Sequence, residues 1–242
     1  MTDVIAFALI ASLGMLVQST VGFAASLLAV PLFTLLMSPR EAVPAYAFLL
    51  LAVNSVLVWE GRRHIAGRPV RRLLIGGLPG VPIGALALKY LPAHWIGAAI
   101  SVVTLLFALL FLARVRVRFP DHPATEPLVG LLSGMLGGGI SESGPPVVVY
   151  GLARGWGKDV FRSSLLAYFL CLSATAAATY LAYGMVTGSM LLLSLAALLP
   201  ASLGARLGVR LKQRIDEQAF RLTVLVVILA VSVGGLLKHL VW

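Results

Sequence analysis

The sequence predicts an all-α integral membrane protein with two inverted repeats, each a re-entrant or broken helical hairpin plus three transmembrane helices. Three observations lead to this fold class. The composition is strongly apolar, six apolar stretches have the length of a membrane span, and two longer stretches are interrupted near their middle. The positions of the Lys and Arg residues then predict the orientation of each stretch.

The composition excludes most other classes of protein. Of the 242 residues, 60% are hydrophobic and 12% are charged, about half the charged share of an ordinary soluble domain. The mean hydropathy is +0.98. A soluble enzyme, a disordered chain, a coiled coil and a disulfide-rich secreted domain are therefore excluded. The single cysteine, Cys171, lies in an apolar run and is expected to be a small core residue.

Six stretches qualify as single transmembrane helices, since a span needs about 20 mostly apolar residues. They lie at roughly 42–59, 73–88, 95–113, 160–183, 185–205 and 219–237. The N-terminus has neither a basic segment before its apolar run nor an A-x-A-type site, so no cleaved signal peptide is expected.

Two further stretches are interrupted. Residues 4–37 are broken near Gln18-Ser19-Thr20-Val21-Gly22, and residues 127–153 are broken by the segment from Gly137 to Pro146. Non-helical backbone at membrane depth persists only where protein or a wet cavity surrounds it. Each stretch is therefore interpreted as a kinked span or as a hairpin of two short half-helices. In the second stretch each arm has only about ten residues, too few to cross separately.

The basic residues select between simple spans and hairpins. Most of the 19 Lys and Arg residues lie in four segments, 60–72, 114–126, 154–162 and 206–221. The positive-inside rule places all four in the cytoplasm. Eight simple spans would put 114–126 and 154–162 on opposite faces. If each interrupted stretch enters and leaves on one side, all four segments are cytoplasmic and both termini are outside.

This topology predicts two repeats, residues 1–118 and 119–242, within one integrated membrane domain. Each repeat crosses the membrane an odd number of times, so the second is inverted relative to the first. Short sequence echoes agree with this division: Gly22 with Pro31 and Gly137 with Pro146, Arg40-Glu41 and Lys158-Asp159, and Pro82-x-Gly84-Ala85 and Ser202-x-Gly204-Ala205. Inverted repeats with broken helices are typical of secondary transporters.

Two segments carry a resemblance to a known family. They are VQSTVGFAASLLAVPLF and GLLSGMLGGGISESGPPVVVYGLARGWGKDVFRSSLLAYF, which contain paired turns, Pro-Pro-x-x-x-Tyr and Phe-Arg-Ser-Ser. Over essentially the whole chain this layout resembles the TauE/SafE family of sulfite exporters and related anion permeases. The resemblance implies transport of small sulfur-containing anions such as sulfite or organosulfonates. The chain departs from the family at Gly22-Phe23-Ala24-Ala25, where more glycine is usual, and at Glu142, where a small or hydroxyl residue is expected.

The two turns are the predicted substrate site. An oxyanion near the membrane midplane needs hydrogen-bond donors, and the N-termini of the second arms, near 22–24 and 143–146, would supply backbone N–H groups. Glycine lets the backbone approach the ligand, and proline suits the first turn of a restarted helix. The candidate substrate-binding residues are Gln18, Ser19, Thr20, Gly22, Gly137, Gly138, Gly139, Ser141, Ser143, Gly144, Pro145 and Arg162. Close helix packing is the alternative role for the glycines and serines.

Ionisable and polar residues within the apolar stretches are the remaining candidates. Glu142 is the carboxylate that this interpretation places inside the membrane, so it is a candidate for proton coupling. Its alternative role is a structural hydrogen bond or ion pair. Arg162 has the alternative role of a topology signal. Four polar residues are expected to form interhelical hydrogen bonds: Asn54, Tyr150, Tyr168 and Thr175.

The sequence therefore predicts a secondary transporter of the bacterial inner membrane, an exporter by its resemblance. It would hold its substrate between two hairpin turns near the midplane and work by alternating access. An anion channel and a non-transporting membrane assembly subunit are the alternatives. No enzyme is expected, because His64, His94 and His122 fall in loops, His239 lies at the chain end, and no zinc motif is present. The expected partners are the anion, membrane lipid and, as one option, a second copy of the chain. Nucleic acid, a cofactor and a metal are not expected.

Overall fold

Ten α-helices account for the regular structure of the described residues. The computed structural model describes residues 2–21, 23–113, 117–211 and 217–241. The helices are α1 (Thr2–Val21), α2 (Ala25–Leu36), α3 (Pro39–Gly61), α4 (Gly67–Tyr90), α5 (Ala93–Leu112), α6 (Thr125–Ile140), α7 (Gly144–Ala153), α8 (Lys158–Ala182), α9 (Gly188–Leu211) and α10 (Glu217–Val241), with a short 3₁₀ turn at Arg62–His64. The predicted all-α class is confirmed. Gly22 and parts of two basic segments, residues 114–116 and 212–216, lie outside the described ranges.

Seven of the described helices are long and apolar enough to cross a membrane: α1, α3, α4, α5, α8, α9 and α10. The six spans predicted from hydropathy are confirmed. Most extend beyond the apolar window; α4 takes in Arg71 and Arg72, for example, because long basic side chains can extend from a helix end toward water. The seventh, α1, was predicted as part of an interrupted stretch and proves to be of full span length.

The two interrupted stretches form helix pairs with a short second member. At 1.5 Å per residue, α2 with 12 residues is about 18 Å long and α7 with 10 residues is about 15 Å long. The hydrocarbon core is about 30 Å thick, so neither helix can cross it alone. The first arms are longer than predicted. The helix α6 has 16 residues because it continues through Gly137, Gly138 and Gly139 to Ile140, where the sequence placed the interruption.

The helices group into two compact units, and each unit mixes helices from both sequence halves. Unit 1 contains residues 1–46, 91–115 and 187–242, and unit 2 contains residues 47–90 and 116–186. Thus α9 belongs to the unit of the first helix pair, and α4 belongs to the unit of the second. The helix α3 contributes its first part to unit 1 and the remainder to unit 2.

In unit 1, α9 packs closely along α1. A Cβ atom on Gly204 would overlap the carbonyl of Ser12, and one on Gly208 would overlap the carbonyl of Leu16. Helix backbones approach this closely only where small residues face the partner. The helices α5 and α10 also pack together, and Lys238 of α10 donates to the carbonyl oxygens of Thr34 and Leu35 at the end of α2. In unit 1, α9 therefore packs along the first arm of the helix pair, and α10 binds the end of its second arm.

In unit 2, α4 and α6 are in backbone contact over three helical turns. Three glycines of each helix face the other at a spacing of four residues: Gly76, Gly80 and Gly84 on α4, and Gly130, Gly134 and Gly138 on α6. Two buried tyrosines of α8 then donate hydrogen bonds to carbonyl oxygens of α6. Tyr168 binds that of Gly130 at 3.2 Å, and Tyr180 binds that of Gly138 at 2.8 Å. The helices α4 and α8 are thereby both held against α6.

Ala24, just before α2, has a left-handed backbone conformation with φ of 85°. This conformation costs a residue with a Cβ about 1–2 kcal/mol, whereas glycine adopts it freely. We expect Ala24→Gly to raise the free energy of unfolding by about 0.5–1 kcal/mol, since part of the gain is offset by a more flexible unfolded chain. Thermal unfolding in detergent measures this effect. Ala29→Gly, inside α2, is the control and should destabilise by about 1 kcal/mol; a lower melting temperature for both would contradict the strain at Ala24.

Candidate functional site

The first helix pair, α1 and α2, is an antiparallel hairpin. Phe7 near the start of α1 stacks on Phe33 near the end of α2, with ring centroids 4.4 Å apart. Closer to the turn, Gly14 lies against Ala25 and Ala29. The chain therefore reverses between residues 21 and 25.

The N-terminus of α2 presents uncapped backbone donors. The N-cap residue Ala24 has no side chain that could accept a hydrogen bond. The first backbone bond runs from the N–H of Leu28 to the carbonyl of Ala24, at 3.2 Å. The N–H groups of Ala25, Ser26 and Leu27 make no backbone hydrogen bond to any other described residue. Such a helix start favours an anion.

The candidate residues before this turn are buried in the last part of α1. Gln18, Ser19 and Thr20 are all less than a tenth exposed. The Thr20 hydroxyl is committed to structure, because it donates to the carbonyls of Leu16 at 2.8 Å and Gly208 at 3.2 Å. The Ser19 hydroxyl makes no hydrogen bond to the described part of the chain. Gly22 lies outside the described residues.

The second helix pair, α6 and α7, is also an antiparallel hairpin. Near the turn, the Ser133 hydroxyl donates to the carbonyl of Ser143. At the open end, the Tyr150 hydroxyl donates to Oε1 of Glu126 at 3.0 Å, and Arg72 of α4 lies 3.8 Å from the same oxygen. Because the bonds at both ends join α6 to α7, the two ends of the stretch lie side by side.

Just outside this open end, Arg154 binds Asp121. Its guanidinium also lies over the ring of Tyr150, 5.4 Å from the centroid. The bond to Asp121, followed by the interaction with Tyr150, raises the pKa of Arg154. The arginine therefore stays charged at any physiological pH and fastens the segment before α6 to the end of α7.

The turn of the second hairpin offers few free backbone donors. Ser141, with φ of 53°, ends α6. Its N–H and that of Glu142 donate to the carbonyls of Gly137 at 3.1 Å and Leu136 at 3.3 Å. The helix α7 then begins with Gly144 and two prolines, as the sequence predicts for Pro145. Since proline has no N–H, the first turn of α7 has only the N–H of Gly144 to offer.

The three glycines before this turn lie inside α6 and pack closely against neighbouring residues. A Cβ on Gly138 would overlap the carbonyl of Val81 on α4, and one on Gly139 would lie 3.2 Å from the carbonyl oxygen of Gly84. A Cβ on Gly137 would lie 3.1 Å from that of Ser143. The structure thus places the sequence-predicted glycines in helix packing contacts, which was the alternative role considered for them.

Glu142 is completely buried and lies at the turn, beside Ser141 and Ser143. Arg162 is half-buried near the start of α8 and forms no ion pair with another described residue.

Of the predicted interhelical hydrogen bonds, those of Tyr150 and Tyr168 are confirmed. The prediction for Thr175 is wrong, because its hydroxyl donates to Cys171 in its own helix. Within the described ranges, no three His, Cys, Asp or Glu residues are grouped as metal ligands.

Three side chains near the turns are not among the residues predicted from the sequence. Ser133 and Tyr180 bind carbonyls next to the second turn, and Tyr46 lies beside the first turn of α2. These residues are distant in sequence from the Gly- and Ser-rich segments. The available signal is a polar side chain within an apolar helix, and it marks Tyr46 and Tyr180 as well as Tyr150 and Tyr168.

Comparison with known proteins gives one family and one curated relative. The family model "Sulfite exporter TauE/SafE" matches residues 6–234. A "Probable sulfite/organosulfonate exporter TauE" from Cupriavidus necator is 29% identical over 120 residues. That match covers 46% of this chain and 46% of the relative, so the chain spans about half of the relative's length. No solved structure matches the chain.

Proposed function

Because the chain belongs to the TauE/SafE family of sulfite exporters, we propose that it is a secondary transporter of small sulfur-containing anions such as sulfite or organosulfonates. It would export them across a bacterial plasma membrane by alternating access. The chain is an integral membrane protein and not an enzyme. The observation that carries the proposal is the pair of antiparallel hairpins whose second arms, α2 and α7, are too short to cross a membrane. Helices that begin inside the membrane present donors to an anion.

The turns of the two hairpins supply the substrate-binding groups in this proposal. The groups able to donate are the side chains of Gln18, Ser19, Ser141 and Ser143 and the backbone N–H of Gly144. Gly22 would let the chain turn closely, and Pro145 would begin α7. In this proposal Thr20, Gly137, Gly138 and Gly139 hold the arms in place. The Thr20 hydroxyl donates to the carbonyl of Gly208, and the glycines allow the close approach of Ser143 and α4. Arg162 would attract the anion from the cytoplasmic end of α8.

The two sequence halves are proposed to be inverted repeats that exchange their fourth helices. Equivalent packing in the two units supports this. On α4, Gly80 and Gly84 face the carbonyls of Leu131 and Met135 in the first arm of the second hairpin. On α9, Gly204 and Gly208 face those of Ser12 and Leu16 in the first arm of the first hairpin, at the same four-residue spacing. Each hairpin is thus packed against the fourth helix of the other half.

The hairpin topology predicts that both ends of the second interrupted stretch are cytoplasmic. Asp121 and Gly157 are exposed and flank it. On a Cys171→Ser background, single cysteines at both positions should react with a membrane-impermeant thiol reagent from the cytoplasmic side. Right-side-out and inside-out vesicles distinguish the two faces. Labelling of the two positions from opposite sides would rule out the hairpin.

Transport itself is tested with the purified protein in liposomes. We expect saturable counterflow of labelled sulfite or taurine, driven by unlabelled sulfite, sulfoacetate or taurine inside and not by acetate or chloride. With the membrane voltage held at zero, counterflow distinguishes a transporter from a channel, because a channel does not couple the movement of one anion to that of another. Thermal stability across the same anions at matched ionic strength reports binding. Absence of both counterflow and stabilisation would exclude the proposed substrates.

A further inference from the structure

The two hairpins are not equivalent as binding sites for an anion. The second arm of the first hairpin begins with Ala25, Ser26 and Leu27, which all have an N–H group. The second arm of the other hairpin begins with Gly144, Pro145 and Pro146, of which only glycine has one. The buried carboxyl of Glu142 also immediately precedes that helix. Backbone donors for an anion are therefore concentrated in the first hairpin.

A second, independent feature lies at the same helix start. Tyr46 of α3 is completely buried and belongs to the same compact unit as α2. Its hydroxyl lies beside Gly14, whose own neighbour is the carbonyl oxygen of Ala25, and it is close enough to interact with the Ser26 side chain. Yet the hydroxyl forms no hydrogen bond to a described residue. A buried hydroxyl without a partner is uncommon in a protein and points to a ligand.

The charge around this helix start narrows the class of ligand. Residues 1–38 contain no Lys, Arg or His, so the first hairpin would bind an anion through neutral donors. Backbone N–H groups donate and cannot accept. A fully ionised oxyanion such as a sulfonate or sulfate has only acceptor oxygens and fits them. Hydrogen phosphate carries an O–H group, which would need an acceptor that these N–H groups do not provide.

We propose that the start of α2 is the principal oxyanion-binding element and that Tyr46 donates a hydrogen bond to the bound anion. The anion would accept from the N–H groups of Ala25, Ser26 and Leu27 and from the Tyr46 hydroxyl. This inference rests on the proposed transport of sulfur oxyanions and names the helix start that selects them. It adds Ser26 and Tyr46 to the substrate-binding residues.

The test is Tyr46→Phe, which removes the hydroxyl and leaves the ring that packs against Phe33 at 5.2 Å. Affinity for sulfite and sulfoacetate, titrated by thermal shift, should fall by about tenfold or more, the effect of one hydrogen bond to a charged ligand. The anion-free melting temperature should stay the same or rise, because the hydroxyl has no partner to lose. Phosphate should bind more weakly than sulfate to the unmodified protein.

Tyr168→Phe is the matched control. Tyr168 is also completely buried, but its hydroxyl donates to the carbonyl of Gly130, so this variant should melt at a lower temperature and keep its anion affinity. If Tyr46→Phe binds sulfite and sulfoacetate as tightly as the unmodified protein does, the inference is overturned and the proposed transport is not affected. Absence of any anion-dependent shift and of counterflow in the unmodified protein would overturn both.

Discussion

Gly76→Ala and Gly130→Ala should each prevent recovery of folded protein. A Cβ on Gly76 would overlap the carbonyl group of Pro127, and a Cβ on Gly130 would overlap that of Leu73. Both obstacles are backbone atoms of a packed helix, which cannot rotate away as a side chain can. Separating α4 from α6 would forfeit their close packing, at a cost of about 3 kcal/mol or more. That cost is a large part of the stability of a typical protein.

The yield of monodisperse protein in detergent and its melting temperature measure this effect. Gly67→Ala is the control on the same helix, because a Cβ there meets nothing within 4 Å. We expect the control to behave as the unmodified protein. Equal yields for Gly76→Ala and Gly67→Ala would contradict the backbone contact between α4 and α6.

This packing decides which variants can test substrate binding. Gly138→Val would place its side chain on the carbonyl of Val81, so a loss of transport would report misfolding and say nothing about the anion. Variants at Ser143 and Tyr46 change a side chain without forcing two helices apart. They separate binding from folding, and the glycine variants do not.

The spans and the starts of the short helices could be predicted from the sequence because their causes are local. Hydropathy over about 20 residues specifies a span, and this was sufficient for α3, α4, α5, α8, α9 and α10. The position of Pro145 in the first turn of α7 follows from the missing N–H of proline. These features depend on neighbouring residues in the chain.

The roles of the glycines could not be predicted in the same way. The spacing of Gly130, Gly134 and Gly138 indicates a tightly packed helix. The neighbouring residues in the sequence, however, do not identify α4 as the helix that packs against it. The same four-residue spacing occurs at Gly76, Gly80 and Gly84, but more residues than a helix contains separate these glycines from the first three in the sequence. The sequence alone therefore favours a ligand contact for Gly138, with a packing contact as the alternative. The position of Tyr46 beside α2 is likewise a product of tertiary folding.

Glu142→Gln should remove the pH dependence of anion affinity. Glu142 is completely buried at the second turn, and an ionised carboxylate there would repel an anion bound at this turn. In the unmodified protein, affinity should therefore be highest at low pH and fall as Glu142 loses its proton. The glutamine variant stays neutral and should keep the low-pH affinity throughout. Thermal-shift titration with sulfoacetate, whose charge is constant between pH 5 and 9, measures the difference, expected to be about tenfold at the alkaline end.

Glu126→Gln provides the matched control for this experiment. Glu126 is a second buried carboxylate of the same hairpin, but Oε1 already accepts a hydrogen bond from Tyr150 and lies near Arg72. Its replacement should lower the melting temperature and leave the pH dependence of anion affinity intact. Since binding and protonation are linked reciprocally, a carboxylate that weakens anion binding when ionised must take up a proton when the anion binds. Glu142→Gln should therefore also abolish acceleration of net flux by a pH gradient while preserving anion exchange; unchanged pH dependence in this variant would remove Glu142 from the coupling mechanism.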